Sequence, residues 1–207
     1  MVFTSPPYNV GHNLGYDRKS KYANSNDDLE EYRKLLIDST RIALLNAKDV
    51  FINLQFLANN KRDLIMYLAE LVENFKDIFF WKKLQVTPAM AKNVANSQTE
   101  TILLFGNENE EEKKEWIESI VLLGMNQTRR WGNKDFRGSF SNFIETKSAS
   151  GENKNANTHN ATFPVELVTK FIVKGYQENS LILDNFMGCG STLIAAEKTG
   201  RICYGME

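Results

Sequence analysis

Short apolar runs alternate along this chain with segments whose apolar residues recur at helical spacing. Met1–Thr4 reads as the end of an apolar strand, and Val50–Leu54, Ile78–Trp81, Thr101–Phe105, Leu181–Asp184 and Ile202–Met206 read as further strands. Between them, Asp27–Asn46 carries Leu29, Tyr32, Leu35, Leu36 and Ala43 at helical spacing, with Ser25 and Asn26 as cap candidates. Lys61–Asn74 repeats the pattern through Leu64, Ile65, Leu68, Leu71 and Val72. Pro164 stands at the first helical position before Val165–Tyr176, and Ser191–Thr199 is a helix closed by Gly200. Helices between short, continuously apolar strands predict an α/β chain, a mainly parallel sheet covered on both faces. Two stretches break the rhythm. Residues 108–118 hold six acids and two lysines and read as a solvated helix face, and the polar residues 145–160 predict a flexible loop.

Length and charge narrow the class. A chain of 207 residues suits one domain with a small insert, which can bury roughly 70% of its unfolded surface without a disulfide framework. Cys189 and Cys203 lie fourteen residues apart with no partner cluster, which argues against a secreted scaffold and against a metal site, and for a reducing, cytoplasmic setting. No stretch approaches the roughly 20 apolar residues that cross a bilayer, and Met1–Pro7 lacks the basic and apolar regions of a signal peptide. The 25 basic and 26 acidic residues nearly cancel, which argues against a uniformly basic nucleic-acid coat and leaves local patches to be sought.

Thr4-Ser5-Pro6-Pro7-Tyr8-Asn9 follows the first strand directly. One reading is a tight turn, or a polyproline ligand for an adaptor domain. The other is a pocket. The prolines fix their own φ and restrict the residue before each, so the carbonyls of Ser5 and Pro6 point in set directions at the carboxyl end of a strand. Open α/β sheets place ligands there. A hydroxyl, an oriented carbonyl and the Tyr8 ring suit a planar base with an exocyclic amine.

Leu181–Thr192 runs from a strand through the glycine-rich turn Asp184-Asn185-Phe186-Met187-Gly188-Cys189-Gly190 into a helix. It is not a phosphate-binding P-loop, because no Gly-Lys-Ser/Thr follows. The glycines let the backbone approach a ligand, and Ser191-Thr192 can cap the helix. Glu207 lies nineteen residues beyond Gly188, the spacing at which an acid takes a ribose hydroxyl pair in nucleotide-binding units. A nucleoside-containing cofactor is the economical reading, and an ordinary βαβ unit is the alternative.

Together these segments resemble the β-class amino-methylating DNA methyltransferases, which use S-adenosyl-L-methionine. TSPPYN resembles their catalytic motif, DNFMGCGST their cofactor loop and YGME the strand that follows it. His159-Asn160-Ala161-Thr162-Phe163-Pro164 resembles the run that holds the methionine end of the cofactor. The resemblance implies a circularly permuted, Rossmann-like methyltransferase fold. Residues 1–106 would be the catalytic half, 107–158 a target-recognition insert with a flexible loop, and 159–207 a cofactor-binding half truncated at its C-terminal end. It assigns Ser5, Pro6, Pro7 and Tyr8 to catalysis. It assigns His159, Ala161, Phe163, Pro164, Asp184, Phe186, Gly188, Gly190, Ser191, Thr192 and Glu207 to the cofactor. The Ser-Pro-Pro-Tyr form points to cytosine N4 ahead of adenine N6. A C5 enzyme is disfavoured because neither cysteine follows a proline. The implied chemistry is direct methyl transfer to a flipped base, with no metal and no covalent intermediate.

The implied partner is double-stranded DNA, with a cognate restriction endonuclease as a candidate second partner and no membrane. Residues 125–140 carry Arg129, Arg130, Lys134 and Arg137 against Asp135, with Trp131, Phe136 and Phe140 interleaved, a composition suited to phosphates and base edges and also to a solvated basic loop. Arg18, Lys19 and Lys21 form a second basic loop, a backbone contact or a plain surface loop. The family continues with a helix beyond the residue matching Glu207, so weak cofactor binding and little turnover are expected of residues 1–207 alone. The rival reading is a truncated, non-catalytic DNA-binding remnant, or one piece of a split enzyme.

Overall fold

The computed structural model describes residues 1–9, 31–57, 59–84, 98–107, 129–131, 134–136, 141–149 and 162–206. In chain order the elements are β1 (Val2–Thr4), α1 (Tyr32–Asn46), β2 (Asp49–Leu54), α2 (Lys61–Glu70), β3 (Phe75–Lys83), β4 (Thr99–Gly106), β5 (Arg129–Trp131), β6 (Lys134–Phe136), β7 (Phe143–Thr146), α3 (Val165–Gly175), β8 (Leu181–Asp184), α4 (Ser191–Lys198) and β9 (Ile202–Gly205). Seven strands form one sheet in the order β7-β3-β4-β2-β1-β8-β9, and β5 and β6 form a separate antiparallel pair. All strands of the large sheet run one way except β4, which is antiparallel to both neighbours.

Successive strand residues project to opposite faces, and here both faces are covered, which is why the strands read as continuous apolar runs. Val2, Val50, Ile52, Leu103 and Phe105 pack with Leu36 of α1 and Leu64 and Tyr67 of α2. Phe3, Phe51, Phe79 and Leu104 face the other way, onto Leu167 and Phe171 of α3 and Ala195 of α4. The rings of Phe3, Phe51, Phe79 and Phe171 interleave at centroid distances from 5.1 to 6.4 Å.

Several expected boundaries move. Lys61–Asn74 ends as an α-helix at Glu70, and Val72–Asn74 is a tighter 3₁₀ turn. The strand expected at Ile78–Trp81 extends to Phe75–Lys83 because it pairs along most of β4. β7 enters the stretch expected to be a loop from residue 145. Its Ile144 and Thr146 are buried beside β3, and Trp81 Nε1 donates to Thr146 Oγ1 at 2.8 Å. The expected cap residues Ser25 and Asn26, residues 108–118 and residues 150–160 lie outside the described residues.

The connections create a site. β1 leads through α1 to β2 on one side, and β8 leads through α4 to β9 on the other. β1 and β8 are parallel neighbours, so the strand order reverses between their carboxyl ends, where open α/β sheets leave a crevice for ligands.

Burial also sets a pH response. It holds the phenols of Tyr67 and Tyr176 above their ordinary range, with Asp49 adding to the effect at Tyr176. Burial and then Asp184 push the Cys203 thiol up to about 11. The unfolded chain ionises such groups from about pH 9 upward, while the folded chain keeps their protons. The unfolded state then holds fewer protons, so stability falls as pH rises. The urea midpoint is expected to drop between about pH 9 and about pH 11, and less steeply in Tyr176→Phe. A midpoint flat across that range would contradict this account.

Candidate active site

The two sequence segments that frame the chain meet at the reversal point. Thr4 Oγ1, at the end of β1, donates to Asp184 Oδ1 at the end of β8 over 2.7 Å. Thr192 Oγ1 donates to Asp184 Oδ2 over 2.6 Å, and the Phe186 N–H reaches Asp184 Oδ1 at 3.2 Å and Thr4 Oγ1 at 3.1 Å. One carboxylate therefore ties the Ser5–Tyr8 segment, the glycine-rich turn and the first turn of α4 into one unit.

Asp184, Ser191 and Thr192 are buried, Asp184 and Thr192 fully, so they hold the turn in shape from behind. The helix cap is not the expected one. Gly190 occupies the cap position in a left-handed conformation, φ 81°, and no side chain caps the helix. Thr192 is committed to Asp184, and Ser191 Oγ lies 3.5 Å from Cys189 Sγ. Gly188 is likewise left-handed at φ 50°. A Cβ at Gly190 would meet nothing within 4 Å, so the backbone at Gly190 faces open space.

Phe163 is buried edge-on against Phe3 at 5.5 Å, and Pro164 caps α3 from an extended conformation. Cys189 Sγ approaches Thr162 Oγ1 at 3.6 Å, so the segment before α3 abuts the turn. His159, Ala161 and Glu207 lie outside the described residues, as do Arg18, Lys19, Lys21 and Arg137. Arg129, Arg130 and Lys134 lie on the β5–β6 hairpin, where Arg129 pairs with Phe136 and Trp131 with Lys134.

At the end of β1, Ser5 and Pro7 are half-buried, while Pro6 and Tyr8 are buried. The Tyr8 hydroxyl donates to Glu100 Oε2 at 2.7 Å and accepts from Asn53 Nδ2 at 2.7 Å and from Ser5 Oγ at 3.1 Å. Asn53 Nδ2 also donates to Glu100 Oε2 at 2.7 Å. Lys83 pairs with Glu100 Oε1 and lies 5.3 Å over the Trp81 ring. Asn60 Nδ2 donates to the Tyr8 carbonyl and pins the segment from below. Burial, and then the Glu100 charge, raise the Tyr8 phenol well above its ordinary range, so the hydroxyl stays protonated.

Sequence reasoning missed Asn53, Glu100, Lys83 and Asn60. Asn53 interrupts an apolar strand, and Glu100 sits just before the apolar run of β4, but each signal is weak alone. Asn53 and Asn60 meet Tyr8 because β2 is the parallel neighbour of β1, and Glu100 meets it because β4 is reversed, which brings its first residues to the same end of the sheet as the ends of β1, β2 and β3.

Residues 1–207 match the DNA methylase family model N6_N4_Mtase along the whole chain. The chain belongs to this DNA methylase family. The fold of the methylase is also that of solved relatives. PvuII DNA methyltransferase, which is cytosine-N4-specific, is 20% identical with a TM-score of 0.65, and the match covers 100% of this chain and 73% of that one. M1.HpyAVI in complex with SAM is 20% identical at a TM-score of 0.56, covering 100% and 81%. A putative DNA modification methylase from Thermus thermophilus, complexed with S-adenosyl-L-methionine, is 20% identical at 0.55, covering 100% and 80%. These likenesses establish the Rossmann-like α/β fold of the methylase. No curated protein matches its sequence. Among the described residues no helix is long and apolar enough to cross a membrane.

Proposed function

We propose that this methylase transfers a methyl group from S-adenosyl-L-methionine to the exocyclic amine of a flipped base in double-stranded DNA, cytosine N4 ahead of adenine N6. The observation that carries the reading is the bridge from Thr4 to Asp184, which holds the Ser5–Tyr8 segment and the glycine turn side by side at one strand-order reversal. The turn fits the cofactor, because Gly188 and Gly190 are left-handed and the backbone at Gly190 is open to a ligand. Asp184–Gly190, with Phe163, Pro164, Ser191 and Thr192 behind it, would hold the cofactor, joined by His159, Ala161 and Glu207. When bound, the cofactor supplies an electrophilic methyl group.

The chain's own residues do the rest. The prolines fix Ser5 and Pro6 so that the hydroxyl and a carbonyl accept the amine protons and aim its lone pair. Tyr8, clamped by Asn53 and Glu100, sets the wall of the base pocket. Arg129, Arg130, Lys134 and Arg137, with Arg18, Lys19 and Lys21, contact DNA, and the recognition insert spans 107–158 between catalytic residues 1–106 and cofactor residues 159–207. The thiols of Cys189 and Cys203, not joined in a disulfide, suit a cytoplasmic setting, and a cognate restriction endonuclease is the fitting partner.

The test is expression of the full-length gene with plasmid DNA, followed by base-resolved sequencing and calorimetry with the cofactor. A methyl group on cytosine N4 at one sequence is expected, adenine N6 is the second outcome, and no methylation with no cofactor binding overturns the reading. Gly190→Val should weaken cofactor binding in calorimetry about tenfold, or ~1.4 kcal/mol. It should also cost about 1–2 kcal/mol of stability through its left-handed backbone. Unchanged affinity in a folded variant would remove the turn from the cofactor site.

A further inference from the structure

Glu100 is a buried acid at the start of the one reversed strand, its side chain 6% exposed. Taking a carboxylate out of water costs several kcal/mol, and packing alone does not call for one here. Its Oε2 accepts the Tyr8 hydroxyl at 2.7 Å, and that hydroxyl accepts Ser5 Oγ at 3.1 Å. Hydroxyl, hydroxyl and carboxylate thus form one line from half-buried Ser5 to a buried acid. The other groups on this floor cannot end the line. The Asn53 amide donates to it, the Asn53 backbone carbonyl accepts from Ser5 Oγ at 3.3 Å but is not basic enough to keep a proton, and the Lys83 ammonium has no acceptor.

We propose that Glu100 is the terminal acceptor of the proton released when the target amine is methylated, reached through the hydroxyls of Ser5 and Tyr8. The proposal rests on the methyltransferase reading of the same site. A newly methylated amine carries one proton in excess. That proton passes to Ser5 Oγ as the Ser5 proton passes to Tyr8 Oη and the Tyr8 proton to Glu100 Oε2. Both hydroxyls end as they began. The positive charge that arrives with the methyl group is cancelled by the carboxylate, which ends as a neutral acid. After the base leaves, the proton returns along the same line to water at Ser5. Tyr8 acts as a relay because its hydroxyl accepts from Ser5 Oγ while donating to Glu100 Oε2. Lys83 and Asn53 are positioning residues that keep Glu100 aimed at the relay.

The test compares the full chain with Glu100→Gln and Tyr8→Phe. Single-turnover methyl transfer should slow by about 10²–10⁴ in both. Cofactor affinity and 2-aminopurine fluorescence at the target position should be unchanged, and the solvent deuterium effect on transfer should shrink. A second readout needs neither cofactor nor DNA. Tyr8 faces Glu100 from β4, Asn53 from β2, Ser5 on its own segment and Tyr32 from α1. Its phenol, identified in ultraviolet titration by its absence in Tyr8→Phe, should ionise at lower pH in Glu100→Gln. Glu100→Gln transferring at the parent rate, an unmoved Tyr8 titration, or Tyr8→Phe transferring at the parent rate each overturns the relay. If Glu100→Gln does not fold, Tyr8→Phe decides, since it deletes one hydroxyl from a ring that stays packed. A full-length parent that neither binds cofactor nor methylates DNA overturns the methyltransferase reading and the relay with it. A parent that methylates while both variants keep pace overturns the relay alone.

Discussion

Asp184→Ala is expected to destabilise the protein by about 3–5 kcal/mol and to abolish cofactor binding. Asp184 is fully buried, and its two oxygens accept from Thr4 Oγ1, Thr192 Oγ1 and the Phe186 N–H. Alanine leaves two buried hydroxyls without their acceptor, at about 1–3 kcal/mol each, and opens a small void. The same change frees the glycine turn from β1, so the backbone that would meet the cofactor is no longer held against the base pocket. Asp184→Asn keeps one acceptor oxygen and should cost less. Urea unfolding gives the stability and calorimetry at a temperature well below melting gives the affinity. A folded Asp184→Ala chain that binds cofactor as the parent does would separate the bridge from the site.

An effect of similar size is expected at the opposite end of the strands. Lys76 Nζ pairs with Asp49 Oδ1 at 3.0 Å, with side chains 8% and 5% exposed, and the Tyr176 hydroxyl donates to Asp49 Oδ2 at 2.6 Å. Lys76→Met removes the cation and strands a buried carboxylate, at about 3–5 kcal/mol. Adding Asp49→Asn removes that stranded charge while leaving Tyr176 an acceptor, so the double variant should regain most of the loss. The cluster sits at the amino end of β2, whereas Asn53 and the pocket sit at its carboxyl end. Methyl transfer per folded molecule should therefore stay at the parent level in both variants. A double variant as unstable as Lys76→Met alone would mean that the carboxylate charge is not the source of the cost.

Much of this molecule was legible in its residue pattern, because the signals are local. Leu181–Asp184 was expected as a strand and is one, since a short apolar run between turn signals needs no distant information. The glycine turn after it was legible for the same reason. Only glycine adopts φ 81° at position 190 without strain, so the bend is written where it occurs. The proline pair after β1 likewise fixes its own backbone. β7 was missed because a four-residue strand between polar neighbours carries too short an alternation to stand out.

Tertiary structure alone decided the contacts on which the chemistry depends. Strand direction follows from how connections cross the sheet, so nothing in the residues of β4 announces that it is the reversed strand. That reversal brings Glu100 to Tyr8 across 92 positions of sequence, and the sheet order brings Thr4 to Asp184 across 180. A hydrogen bond at such separation leaves no periodic trace in either partner. Each residue looks like an ordinary polar interruption until the fold removes it from water and leaves the other as its partner.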